Sequence, residues 1–322
     1  MRSKRVYFPN WIGWGRIDDT WALLAHASEE TISANCRRIL GFLLRVHDTG
    51  VMNSSQMRTR DDSTAATSST VVVAVGGVDP SVAAGLGRDL LTASDLGAVV
   101  RLVGTAWTEQ SAAGVRSIEA RTADAVEQAV RWAVRAPAPG AVKIGMVPGP
   151  AVAEAIRRGL DGYTGPVVVD PVLAASSGGP LWQGPLEALW SVLRRATLAT
   201  PNALEATVLT GRPIETLADA RGAAAALRAA GIGAVLVKGG HLPENPDGTI
   251  TDVLATAEGE RLLTRARAAG PSPRGTGCAL STAIAVELAA GRTTVAAIER
   301  ATEWLAARIE RAVERDGERR LG

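Results

Sequence analysis

Six short apolar runs, rich in β-branched residues, punctuate this chain at residues 71–75, 98–103, 142–144, 167–169, 198–200 and 235–237. They are continuous rather than alternating, which is the pattern of strands buried on both faces. Helical stretches lie between them, at about 86–96, 122–135, 150–160, 185–194, 203–210 and 216–230. Such alternation specifies an α/β fold, a largely parallel sheet covered by helices on both sides. A weaker strand pair at 250–255 and 260–264, joined at Glu258 and Gly259, reads as a hairpin. A last helix is expected over 293–316, with the charged residues 310–320 as its fraying end.

In a parallel sheet the loops after the strands form the ligand crevice. After the first run come Gly76, Gly77 and Asp79, with Asp89 in the next helix. After the second comes TAWTEQSAAG, read as a loop carrying Thr108, Glu109 and Gln110. Later runs are followed by Gly145 and Met146, by Asp170, by Asn202 and Glu205, and by Lys238, Gly239, Gly240 and His241. Nearly every loop offers a glycine or a polar group of catalytic type.

Residues 270–291, GPSPRGTGCALSTAIAVELAAG, are the most informative of these. Pro271, Pro273, Gly275 and Gly277 forbid regular structure in the first half. From Ala279 the stretch is apolar or small on nearly every face until Gly291, with Glu287 its one charge, so it is a buried helix. A glycine-rich loop opening onto a helix N-terminus has unpaired N–H groups and partial positive charge, which suits an anion. Cys278 stands at that end, where a thiol is expected to shift toward thiolate. The expectation is a phosphate-handling centre with a cysteine placed as base.

With 35 Lys and Arg against 33 Asp and Glu, charge gives no reason to expect nucleic acid or an anionic membrane as partner. Cys36 and Cys278 make no disulfide framework, and no apolar run has the roughly 18–20 residues of a span, so a cytoplasmic protein is expected. There is no P-loop, no complete dinucleotide fingerprint and no G-x-S-x-G elbow. Residues 1–69 differ in composition, and their Ser/Thr/Asp-rich end reads as a linker. They are expected to be an over-extended start, with the true one at Met52 or Met57, a disordered extension, or a partner-binding arm.

The combination of VDPSVAAGLGRDLLTASDLG, AWTEQSAAGV, AVKIGM, VVVDPV, TPNALEA and VLVKGGHL followed by RGTGCALS resembles the hydroxymethylpyrimidine and phosphomethylpyrimidine kinases of thiamine synthesis. These belong to the ribokinase-like superfamily. The resemblance implies a three-layer α/β/α ribokinase-like domain over residues 70–318 that uses ATP and Mg²⁺. The implied reaction phosphorylates 4-amino-5-hydroxymethyl-2-methylpyrimidine, extending to its monophosphate. It also implies roles. Gly77, Asp89 and Gln110 hold the pyrimidine, with Val78 and Met146 packed on the ring. Asp170 and Glu205 hold the metal. Asn202, Glu205, Lys238, Gly240, His241 and Arg274 serve the nucleotide and its phosphates. Gly275, Thr276 and Gly277 form the anion hole, and Cys278 is the base. A homodimer is implied by analogy.

The chain departs from the family pattern at Val82-Ala83, Ser111-Ala112, Ser176 to Gly179, and Arg274, where the family has histidine. Arg274 is read as a replacement charge for a lysine absent near Ser176. The alternatives are a pyridoxal kinase, or a non-catalytic pyrimidine-binding regulatory protein.

Overall fold

The computed structural model describes residues 70–322 except 112, 136, 244, 269, 271 and 316, so the expectations for residues 1–69 lie outside it. The elements run β1 (Val71–Val78), α1 (Gly85–Asp95), β2 (Val99–Ser111), β3 (Gly114–Ala120), α2 (Ala123–Ala133), β4 (Ala141–Ile144), α3 (Pro150–Gly159) and β5 (Val167–Val169). A 3₁₀ turn then enters α4 (Trp190–Leu193), followed by β6 (Leu198–Ala199), α5 (Ala203–Thr210), α6 (Leu217–Ala229), β7 (Val235–Val237), β8 (Thr249–Thr256) and β9 (Gly259–Ala266). The chain closes with α7 (Thr276–Ala289), α8 (Thr294–Glu310), β10 (Val313–Arg315) and β11 (Glu318–Arg320).

One sheet takes the order β3-β2-β1-β4-β5-β6-β7-β8-β9. Its centre, from β2 to β7, is parallel, and antiparallel hairpins extend both edges. Side-chain alternation splits the core in two. Val73, Val75, Val142 and Ile144 pack toward Val126 of α2, Ile156 of α3 and Leu227 of α6. Val72, Ala141, Val168 and Leu236 face Ala93 of α1, Ile284 of α7 and Ile298 of α8. This is the expected three-layer α/β/α arrangement. Helix α7 is buried along nearly its whole length, and Ile284 and Ile298 each contribute about 1.5–3 kcal/mol of burial.

Three local expectations are corrected. Strand β1 continues through Gly76 and Gly77 instead of breaking there. The supposed loop carrying Gln110 is the outer half of β2, which folds back as β3. Its polar residues did not look like strand because that half stands at the sheet edge, with one side in water. The expected fraying helix end over 310–320 is replaced by other structure among its described residues. Helix α8 ends at Glu310, and β10 and β11 form an antiparallel hairpin. The loop before α7 pairs alongside, with the Arg274 N–H donating to the Arg319 carbonyl at 3.1 Å.

Chain order reverses between β1 and β4, which are spatial neighbours with β2 on the far side. Such a switch point opens a crevice at the carboxyl ends of the strands.

Candidate active site

A cavity of about 710 Å³ lies over that edge. It gathers Gly77, Asp89, Gln110, Met146, Asp170, Asn202, Glu205, Lys238, Gly240, His241, Arg274, Gly275, Thr276, Gly277 and Cys278, every site residue expected from sequence except Val78. A Cβ on Gly77 would meet the Met146 sulfur, so that side of β1 faces Met146, and Val78, one residue on, points to the other face toward Gly104. Its backbone carbonyl is what the site uses, accepting from Thr108 Oγ1 at 2.9 Å.

The floor is the N-terminus of α7. Gly275 caps it with φ of 79° and supplies no side chain to the first-turn N–H groups. Only glycine fits, because a Cβ would lie 2.0 Å from the Ala83 carbonyl oxygen, besides the left-handed backbone. The start of α7 therefore abuts the start of α1. Gly277 is less constrained: a Cβ there would lie a tight 3.3 Å from Asp170 Oδ2 and at ordinary contact, 3.5 Å, from Lys238 Nζ.

Asp170 follows β5 and accepts from Lys238 Nζ at 2.9 Å and Thr200 Oγ1 at 3.1 Å. Asn202 and Glu205 form a reciprocal capping box on α5, at 2.9 and 2.8 Å. The capping role raised by the sequence is thus real, and it aims the Glu205 carboxyl into the cavity. Burial pushes that carboxyl up to about 7, opposed by Lys238 and reinforced by the negative charge of Asp170. Burial works against the Lys238 charge, but Asp170 and Glu205 outweigh it and hold the ammonium above its ordinary value. Burial, with Lys238 and Arg267 nearby, lowers His241, so its imidazole is neutral at pH 7.

Two site residues sit in settings that differ from those expected. Asp89 lies in the second turn of α1, fully buried, with both oxygens 2.9 Å from Lys143 Nζ and one 2.8 Å from Thr282 Oγ1. Its carboxylate is held by Lys143 and Thr282 at the cavity wall. Lys143 was missed by sequence reasoning. Burial opposes its charge too, yet the Asp89 carboxylate keeps it above the ordinary lysine value. Cys278 departs from expectation as well. Burial pushes its thiol up to about 11, Lys143 opposes that, and Asp89 and Asp170 add to it, while the Gly85 amide donates to the sulfur. The helix terminus does not suffice to make a thiolate at neutral pH.

Arg274 is not a free phosphate receptor. Its Nη1 donates to Glu318 at 2.7 Å, and its Nη2 to Asp79 at 3.3 Å and Gln110 Oε1 at 3.2 Å. Glu318 comes from the terminal hairpin and was also missed. Ser176, in the departing segment, lines the cavity.

The sequence profile of phosphomethylpyrimidine kinase matches residues 79–319. The chain belongs to the phosphomethylpyrimidine kinase family. It is 36% identical over 243 residues to the hydroxymethylpyrimidine/phosphomethylpyrimidine kinase of Streptomyces coelicolor, spanning 74% of this chain and 88% of that one. The crystal structure of a phosphomethylpyrimidine kinase from Clostridium difficile 630 aligns with a TM-score of 0.63 and 29% identity, over 74% of this chain and 98% of that one. The pyridoxal kinase of Staphylococcus aureus, in complex with AMP-PCP, has a TM-score of 0.71 at 24% identity over 79% of this chain and 93% of that one. That likeness extends to the ribokinase-like fold alone. Among the described residues of this family member, no helix is long and apolar enough to cross a membrane.

Proposed function

We propose that the protein transfers the γ-phosphoryl group of ATP to the hydroxymethyl group of 4-amino-5-hydroxymethyl-2-methylpyrimidine, and then phosphorylates the monophosphate to the diphosphate. The observation that carries this reading is the uncapped start of α7, with Cys278 on it and the Asp170–Lys238 pair against Gly277, in one cavity with Gln110 and Met146. Phosphoryl transfer needs positioning, preorganised positive dipoles and a proton acceptor, and the cavity holds all three.

The nucleotide lies toward Lys238, Gly240 and His241, and the pyrimidine toward Gly77, Gln110 and Met146. The substrate hydroxyl oxygen forms a bond to the γ-phosphorus as the bond to the β–γ bridging oxygen breaks and ADP leaves. The hydroxyl proton passes to the Cys278 sulfur in its ionised form. That form is scarce at neutral pH but strongly basic, and Lys143 behind it stabilises the charge. The N–H groups of Gly275, Thr276 and Gly277 meet the transferred phosphoryl oxygens.

Mg²⁺ fits the residues present. Asp170 and Glu205 share one ammonium, Lys238, which leaves an excess negative charge. Among the described residues no group of three or more His, Cys, Asp or Glu is gathered to chelate an ion. That suits an ion held by one or two carboxylates together with substrate phosphates. Asp170 and Glu205 would hold it, and it would neutralise phosphate charge.

The deciding experiment incubates the protein with ATP, Mg²⁺ and either the hydroxymethylpyrimidine or pyridoxal, and separates the products by ion-pair chromatography. Pyrimidine mono- and diphosphate are expected. Diphosphate absent after exhaustive reaction removes the second step. Phosphorylation of pyridoxal alone replaces the reading with pyridoxal kinase. ADP and phosphorylated product absent from both leaves the non-catalytic binding protein.

A further inference from the structure

We infer that the Glu318–Arg274 pair is a specificity device: it fixes which way round the Gln110 amide faces, and so which ring edge the site accepts. The inference rests on the pyrimidine reading and deepens it.

A relay of hydrogen bonds has one polarity only. Thr108 Oγ1 donates its single proton to the Val78 carbonyl at 2.9 Å. The same oxygen can therefore only accept from Gln110, at 3.0 Å, so it selects the amide nitrogen. At the other side Arg274 Nη2 lies 3.2 Å from the Gln110 amide. A guanidinium only donates, so it selects the amide oxygen. Amide orientation is ordinarily ambiguous in a structure, but here both neighbours demand the same choice. Each end of the amide keeps one further position. The free edge presents one donor beside one acceptor, which complements a ring nitrogen next to an exocyclic amino group. A ring bearing a carbonyl and a protonated nitrogen presents the reverse pattern, and meets donor with donor and acceptor with acceptor.

What holds Arg274 in place is the terminal hairpin. Glu318 Oε1 takes Nη1 at 2.7 Å, with the Arg274 and Glu318 side chains 11% and 5% exposed. The other oxygen, Oε2, faces Arg320 Nε at 3.6 Å. The main chain locks the same contact, since Arg274 pairs with β11 through Arg319 and Arg320. Asp79, in the loop after β1, holds Nη2 from the far side at 3.3 Å. Arg274 and Glu318 are therefore positioning residues that act through Gln110.

The test compares kcat/KM for the 4-amino substrate with that for its 4-oxo analogue, at saturating ATP, in the full chain and in Arg274→Gln, Glu318→Gln and the double variant. A glutamine at 274 can donate or accept, so it lets the Gln110 amide turn over. Arg274→Gln is expected to lower the amino-over-oxo preference by about ten-fold or more, mostly by improving the oxo analogue. Glu318→Gln should shift it the same way by a smaller factor, and the double variant no further than Arg274→Gln. A general loss of structure lowers both substrates together and leaves the ratio alone. An unchanged ratio in Arg274→Gln overturns the inference, as does a wild-type ratio in Glu318→Gln. Should Glu318→Gln not fold, Glu318→Asp, whose shorter arm draws Arg274 away, is read by the same ratio. Gln110→Ala separates the two levels of argument. If it leaves affinity for the pyrimidine unchanged, the ring-reading site itself is wrong. If it weakens affinity while Arg274→Gln keeps the ratio, only the positioning role fails.

Discussion

Replacing Lys143 by methionine is the sharpest physical test of the interior beneath the site. Methionine matches the length of the lysine stem and keeps the packing between β4, α1 and α7. What it removes is the one cation that meets both Asp89 oxygens, in a setting where the two side chains are 1% and 0% exposed. Thr282 then remains as the partner of a carboxylate sealed from water. Breaking a buried pair on one side costs about 3–5 kcal/mol. For a chain of this size that lowers Tm by roughly 6–20 °C, at about 2–4 °C per kcal/mol. The pH dependence supplies a second signature. Burial alone pushes the Asp89 carboxyl up. With Lys143 gone, the folded state holds a proton there that the unfolded chain releases near pH 4. More protons bound in the folded state means stability falls as pH rises, so the deficit should shrink as pH is lowered toward 4. Urea unfolding of wild type, Lys143→Met and Lys143→Met/Asp89→Asn at pH 7.5 and pH 5 measures both effects, with the double variant recovering most of the loss. A deficit below about 1 kcal/mol, or one that does not vary with pH, would falsify the account of Lys143 as an obligatory partner.

Three further outcomes follow from the same geometry. Cys278→Ser should reduce kcat by about 10²–10⁴-fold while the KM for ATP stays within a few-fold, in steady-state assays. In the wild type, where the ionised thiol is active and the thiol lies near 11, kcat should climb with pH above 8 with no plateau below 10; retained turnover in the serine variant removes the base assignment. Glu205 is raised to about 7 and must be ionised to help hold a cation. Affinity for Mg²⁺-ATP, measured by calorimetry, should therefore strengthen as pH rises from 6 to 8, and Glu205→Gln should bind weakly with that dependence gone. Gly275→Ala drives a methyl group against the Ala83 carbonyl at a φ of 79°; it should cost at least about 1–3 kcal/mol in thermal unfolding and abolish nucleotide binding even where the chain still folds.

How much of this could be read beforehand depended on how local the cause was. The central strands were legible because Val72, Val142 and Val168 belong to runs that must be buried on both faces. The loop glycines were legible because Gly275 and Gly277 sit where a turn must meet a helix. Lys143 was overlooked inside AVKIGM although a signal existed: a charge within an otherwise apolar strand needs a buried counter-charge. Its partner Asp89 lies 54 residues away, and nothing local pairs them. Strands β3 and β10 are short, polar and largely exposed, and β11 is short and charged, so neither periodicity nor propensity marks them. Their formation is decided by distant pairing, for β11 with Arg274. The Cys278 error was one of magnitude. A helix terminus favours the anion, but burial and the charges of Asp89 and Asp170 outweigh it.

The join between Arg274 and Asp79 spans 195 residues of sequence. Closing so long a loop adds little to its equilibrium cost, since the entropy grows only with the logarithm of length. Its kinetic consequence is larger, because long-range pairings form slowly. The start of α7 meets the start of α1 across most of the described chain, so their contact belongs with the long-range pairings expected to form late. Partly folded chains can thus carry most of the sheet and no catalytic centre. In refolding, recovery of activity should lag recovery of helical signal, and the lag would time the arrival of the last helices on a sheet already made.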